Sequence, residues 1–135
     1  MPNKERVRTA LRWVLTVAMI AIGVGHFVDP APFVTIVPPF LPAPLALVYI
    51  SGVFEILGGL GLILPATRRA AGFGLVALFI AVFPANIYMA VADVPMNGQH
   101  LHPVALWGRL PLQFLLMAWA LWVSRPAPAA EARPA

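Results

Sequence analysis

Four long apolar stretches constrain this chain more than any other feature of its sequence. They cover residues 11–28, 44–64, 70–91 and 104–123, and each holds at most one Asp, Glu, Lys or Arg. Helices of these lengths reach about 27 to 33 Å, which matches the hydrocarbon core of a bilayer. None of the stretches has a polar face that could be turned to water. The sequence therefore predicts an all-α integral membrane protein with four spanning helices.

The composition excludes several classes of protein. Of the 135 residues, 61% are hydrophobic and 10% are charged, whereas soluble domains carry about a quarter charged residues. The chain has no cysteine, so it cannot form a disulfide or run thiol chemistry by itself. Its net charge of +4 lies beside the apolar stretches, which favours anionic lipid over nucleic acid as the partner.

The basic residues predict the orientation. Eight of the nine Lys and Arg residues flank one set of span ends, and these are Lys4, Arg6, Arg8, Arg12, Arg68, Arg69, Arg125 and Arg133. The connections 29–43 and 92–103 hold neither Lys nor Arg. Because Lys and Arg accumulate on the cytoplasmic side, we expect both termini in the cytoplasm.

The chain reads as one domain with two tails. Residues 1–10 form a basic cytoplasmic segment, 11–123 an antiparallel four-helix bundle, and 124–135 a disordered tail rich in Pro and Ala. The connection "DPAPFVTIVPPFLPAP" holds six prolines, which predicts a short helix or an extended lid at the outer surface. The five-residue turn "PATRR" makes the second and third spans antiparallel neighbours.

Five polar side chains lie in the outer half of the predicted spans. Counting from the span ends puts Glu55 about 16 Å deep, Gln113 about 13 Å, and Asn86 and Arg109 about 8 Å, with His26 just below the rim. Arg109 and Gln113 are four residues apart and share one helix face. A charge exposed to lipid costs about 3 kcal/mol or more. We therefore expect the five residues to converge on one internal site, with Glu55 paired to Gln113 and Arg109.

The sequence leaves the use of this cluster open. It could serve only to specify helix packing through interhelical hydrogen bonds, or it could line a pocket for a quinone head group, a small solute or a proton path. Glycines at positions 52, 58, 59, 61, 72 and 74 are expected to let helices approach closely. Met96, His100 and His102 in the outer connection form no complete ligand set, so no metal site is predicted.

Four segments carry a resemblance to a known family. They are "GHFVDP", "YISGVFEILGGLGLILPATRRAAG", "FPANIYMA" and "RLPLQFLLMAW". Together they resemble the DoxX family of small four-helix bacterial membrane proteins, over residues 10–123. Members of that family are similar to the membrane subunit of a thiosulfate:quinone oxidoreductase, and others are membrane parts of redox or stress-defence assemblies.

The resemblance implies a function and a site. It implies an accessory or quinone-facing subunit of the bacterial inner membrane, with a soluble or membrane redox partner and no catalytic activity of its own. The residues it singles out are again His26, Glu55, Asn86, Arg109 and Gln113. Two alternatives stay open at this point: a small transporter or channel, which could be a homo-oligomer, and a structural scaffold or assembly factor.

The charge asymmetry makes the topology testable. Reporter fusions at Arg69 and at Gly98 should report opposite sides of the membrane, because the two positions lie in connections of opposite charge character. Activity of a cytoplasmic and of a periplasmic reporter at each position measures this. The same location for both fusions would contradict the four-span topology.

Overall fold

The computed structural model describes residues 2–96 and 98–126, and its regular structure there is helical apart from one bridge between Met96 and Gln99. The helices are α1 (Pro2–Val28), α2 (Ala31–Thr35), α3 (Pro44–Ile63), α4 (Pro65–Val91) and α5 (Pro103–Val123). By length and composition α1, α3, α4 and α5 could each cross a membrane. The prediction of an all-helical chain with four such helices is confirmed.

Two helices begin earlier than the sequence predicted. Helix α1 starts at Pro2, so the basic segment is helical, and α4 starts at Pro65, so only Leu64 separates it from α3. Proline favours the first helical position because its φ is preset and its missing N–H is not needed there. Arg68 donates to the Leu62 and Ile63 carbonyls at 2.8 and 2.9 Å, which satisfies the end of α3. The segment "PATRR" is thus the start of a helix and not a turn.

The predicted tail lies mostly outside the described residues. Helix α5 ends at Val123, followed by Ser124, Arg125 and Pro126 without helical structure. Residues 127–135 are outside the part that the structure describes, so the prediction of disorder there stays a prediction.

Helix α1 packs most extensively on α3, α3 packs on α4, α4 packs on α5, and a smaller contact joins α1 to α5. The α1–α3 contact is close because glycines lie in it. A Cβ on Gly23 would stand 2.8 Å from the Gly52 carbonyl oxygen, and a Cβ on Gly59 would stand 3.0 Å from that of Thr16. Small residues of this kind allow helix backbones to approach.

Hydrogen bonds to the last carbonyls of α5 join three helices at one end of the molecule. Arg12 of α1 donates to the Val123 carbonyl at 2.8 Å, and Arg69 of α4 donates to that of Leu121 at 3.0 Å. Trp119 donates in return to the Leu11 carbonyl at 3.1 Å. We call this the inner end and the opposite end, which carries α2, the outer end.

The outward faces of the helices are apolar. Val17, Leu57, Phe114 and Leu115 are each more than half exposed, and similar side chains occur on every long helix. Contiguous exposed apolar surface of this kind marks a face that is covered by a partner or by lipid. The exterior thus matches the apolar composition.

The helix glycines fall into two classes, and substitution distinguishes them. A Cβ on Gly72 would overlap the Ser124 side chain and lie 3.2 Å from the Ala120 carbonyl oxygen, whereas a Cβ on Gly74 would meet nothing within 4 Å. The expected close approach is therefore present at Gly72 and absent at Gly74.

We expect Gly72→Ala to lower the free energy of unfolding by about 1 to 3 kcal/mol, because the methyl group overpacks the α4–α5 contact. Gly74→Ala is the matched control and should raise it by up to about 1 kcal/mol through helix propensity. Denaturant unfolding in mild detergent measures both. Equal effects of the two substitutions would contradict the packing described.

Candidate functional site

A cavity of about 670 Å³ lies among the four long helices in the outer half of the molecule. The polar side chains that line it are Ser51 and the five residues His26, Glu55, Asn86, Arg109 and Gln113. All five residues that the sequence analysis singled out thus share the wall of one cavity. Most of the remaining wall is apolar, so a bound molecule would meet few polar groups outside this set.

Glu55 is buried against His26. Its Oε2 atom lies 3.2 Å from His26 Nδ1, and Glu55 as a whole is only 8% exposed. The same Nδ1 lies 2.8 Å from the Ile22 carbonyl oxygen, so its single hydrogen is directed to the backbone. Glu55 Oε2 consequently accepts no hydrogen bond although it is buried.

The predicted pairing of Glu55 with Gln113 and Arg109 is wrong. Within residues 2–96 and 98–126, no hydrogen bond or ion pair joins Glu55 to Gln113 or to Arg109. The reason is the order of packing: α3 lies against α1 and α4, while α5 lies against α4 and, less extensively, against α1. The face of α3 that carries Glu55 and Gly52 therefore meets α1, where His26 is the polar group within reach.

Gln113 and Asn86 form a second pair, between α5 and α4. Asn86 Nδ2 donates to Gln113 Oε1 at 3.2 Å, and Gln113 Nε2 donates to the Phe79 carbonyl at 3.1 Å. Both residues are buried. Because these side-chain amides are hydrogen-bonded to each other and to the backbone of α4, the pair holds α5 to α4.

Arg109 lines the cavity one turn from Gln113, on the same face of α5. It is partly buried, and in the described part of the chain its guanidinium makes no hydrogen bond or ion pair. Five N–H donors of a permanently charged group are thus available at the cavity wall. Burying such a group without a partner is unfavourable, so Arg109 is the cavity residue with the strongest demand for an acceptor.

The proline-rich connection covers the outer end of the cavity. His26 stacks on Phe33 of α2 with ring centroids 4.0 Å apart and planes 17° apart. Ile36 and Pro38 are buried and line the cavity, and Ile36 packs against Met89 and Leu106. The prolines of this connection predict a short helix or an extended lid. The contact of Phe33 with His26 is not predicted, although Phe33 is the first residue of the apolar run "FVTIV".

The remaining histidines have local roles outside the cavity. His102 accepts a hydrogen bond from the Val104 backbone N–H at 3.1 Å and caps α5, and His100 Nδ1 lies 3.3 Å from Asp93 Oδ2. No group of three or more His, Cys, Asp or Glu side chains suited to a metal ion occurs among the described residues.

Comparison with known proteins assigns a family. The family model described as a domain of unknown function, DUF8561, matches residues 15–124. The chain belongs to this family. The matched range contains all five predicted site residues. No curated protein and no solved structure matches the chain, so the resemblance to the DoxX family stays a prediction.

The Asn86–Gln113 pair can be tested by a double-mutant cycle. Gln113→Leu should lower the free energy of unfolding by about 1 to 2 kcal/mol, because it leaves the Asn86 amide buried without its acceptor. The double variant Asn86→Leu, Gln113→Leu should lose less than the sum of the single variants. Unfolding in detergent measures the cycle, with Gln99→Leu in the exposed outer connection as the control. Additive losses would contradict the pairing.

Proposed function

We propose that the protein is an integral membrane, antiparallel four-helix bundle of the bacterial inner membrane, with both termini in the cytoplasm. The direction of the first two long helices supports this, because Gly23 of α1 meets Gly52 of α3 while the earlier Thr16 meets the later Gly59. The link of Leu64 alone between α3 and α4 and the absence of Lys and Arg from the outer connections fit the same topology.

Within this bundle, the outer-half cavity binds the polar head of a lipid-soluble molecule of the quinone type. The observation that carries the proposal is that two ionisable side chains, Glu55 and Arg109, line one mostly apolar cavity, and that Arg109 makes no hydrogen bond or ion pair among the described residues. Buried charged groups are normally paired, and one without a partner calls for an explanation. An acceptor on a bound head group is such an explanation.

The chemistry of the wall supports a head group that both donates and accepts. Glu55 offers an acceptor, and Arg109 offers donors only. A quinol hydroxyl can donate to Glu55 while a quinone or quinol oxygen accepts from Arg109. One carboxylate and one guanidinium leave the wall without a strong net charge, which favours a neutral ligand over an ion.

The proposed role is that of an accessory, quinone-facing subunit in a membrane redox or stress-defence assembly. The chain has no cysteine, so electrons would pass to a cofactor held by a soluble or membrane partner. Glu55 and His26 are placed to take up a proton as the quinol is oxidised, as ionisable residues in membrane relays do. The resemblance of the four sequence segments to the DoxX family supports this role.

Glu55→Leu tests the proposal. We expect it to reduce co-purified quinone per folded protein at least about tenfold, since a hydrogen bond to a charged group contributes about 1.5 to 3 kcal/mol. The free energy of unfolding should stay unchanged or rise, because replacing a buried charge by an apolar group is often neutral or stabilising. Mass spectrometry of the gently solubilised protein and thermal unfolding give the two readouts.

The conservative variant Glu55→Gln serves as the control, since it keeps the side-chain volume and a hydrogen-bonding oxygen. It should retain more quinone than Glu55→Leu. A large loss of stability with an unchanged quinone content would show that the cluster only specifies packing. Solute flux in liposomes that depends on Glu55, without bound quinone, would favour the transporter.

A further inference from the structure

A groove runs along the seam between α3 and α4, on the inner side of the cavity. It extends from Phe54 and Gly74 to Leu64 and Thr67 and has a volume of about 460 Å³. Phe54 and Gly74 line both the groove and the polar cavity. The two spaces therefore adjoin at these residues.

The helix contacts explain why the seam opens at this point. Towards the inner end α3 and α4 touch through their small residues: a Cβ on Gly61 would lie 2.7 Å from that of Ala71, and a Cβ on Gly58 would overlap the Leu75 side chain. Beyond Phe54 the facing residues of α3 and α4 no longer meet but line the cavity from opposite sides.

The groove is suited to a hydrocarbon chain. Its floor is made of small residues, namely Gly58, Gly61, Ala70, Ala71 and Gly74, and its rim carries Leu57, Leu60 and Leu64, each more than 45% exposed. From Phe54 to Leu64 it follows α3 for about 15 Å. That is about half the hydrocarbon core of a bilayer, the depth of one leaflet.

We infer that this groove holds the tail of a single-chain amphiphile whose polar head lies in the cavity, and that the molecule reaches the cavity sideways from the bilayer between α3 and α4. The inference rests on the proposed head-group function and adds the class of ligand and its route. The ionisable side chains of Glu55 and Arg109 in the cavity at one end of the path distinguish it from a groove that merely collects lipid tails.

Gly74 is the position at which a substitution can distinguish binding of the tail from binding of the head group. It lies at the junction, and a Cβ there would meet nothing within 4 Å. A leucine at 74 therefore projects into the junction without striking a neighbouring backbone, and leucine also favours helix over glycine. Gly108 of α5 is the matched control, because its Cβ would also meet nothing within 4 Å and it lines neither space.

The experiment compares two probes on the full chain in phosphatidylcholine nanodiscs. One is a dimethoxy-methyl-benzoquinol with a ten-carbon chain, kept reduced under nitrogen, and the other is the same quinol head without the chain. Dissociation constants are referenced to the probe concentration in the membrane, because transfer from lipid to the groove gains packing and no hydrophobic energy. Wild type should bind the tailed probe at least about threefold more tightly than the tailless probe, the size of a modest packing gain.

Gly74→Leu should weaken binding of the tailed probe more than that of the tailless probe and so abolish this difference, while Gly108→Leu should preserve it. Equal affinity of wild type for the two probes would overturn the tail groove and leave the head site standing. Equal loss of both probes in Gly74→Leu would also overturn it, because Gly74 would then belong to the head site alone. Binding of neither probe to wild type would overturn the proposed function and the inference with it.

Discussion

The close contact between α1 and α3 is the interaction on which the rest of the site depends. Where the two helices meet, Gly23 and Gly52 leave no side chain between the backbones, and His26 and Glu55 follow one turn away on the same faces. The contact turns the carboxylate away from the apolar exterior and against an imidazole. Without it, Glu55 would lie on the apolar exterior, where a charged group is unfavourable.

The same contact shapes the cavity. Helix α3 lies along α1, while Asn86 and Gln113 hold α4 to α5. The two helix pairs meet closely where Gly61 faces Ala71 and separate towards the outer end. The space between the two helix pairs therefore widens towards the outer end, where α2 covers it through the stacking of Phe33 on His26.

Polar groups are used differently at the two ends of the molecule. At the inner end Arg12, Arg68 and Arg69 each donate to carbonyls at helix ends, so these guanidinium groups have structural partners. At the outer end Glu55 keeps an unbonded oxygen, and Arg109 has no partner among the described residues. Spare hydrogen-bonding capacity inside a cavity is what a ligand site requires. Arg8 Nε and Thr16 Oγ1 are also buried without a partner, but neither residue lines the cavity. The outer cluster does line it and therefore supports a binding function.

The sequence by itself determined the four apolar helices, the asymmetry of charge and the positions of the five polar residues along their helices, because length, composition and a rise per residue are properties of single segments. It also placed Arg109 and Gln113 on one face of their helix. It could not determine that Glu55 meets His26 or that Asn86 meets Gln113. Nor could it determine that Ser124 packs against Gly72 while no atom comes within 4 Å of a Cβ on Gly74. Those outcomes depend on how each helix is rotated and on which helices are neighbours. Only the packing of small residues between helices, a property of the tertiary structure, decides both.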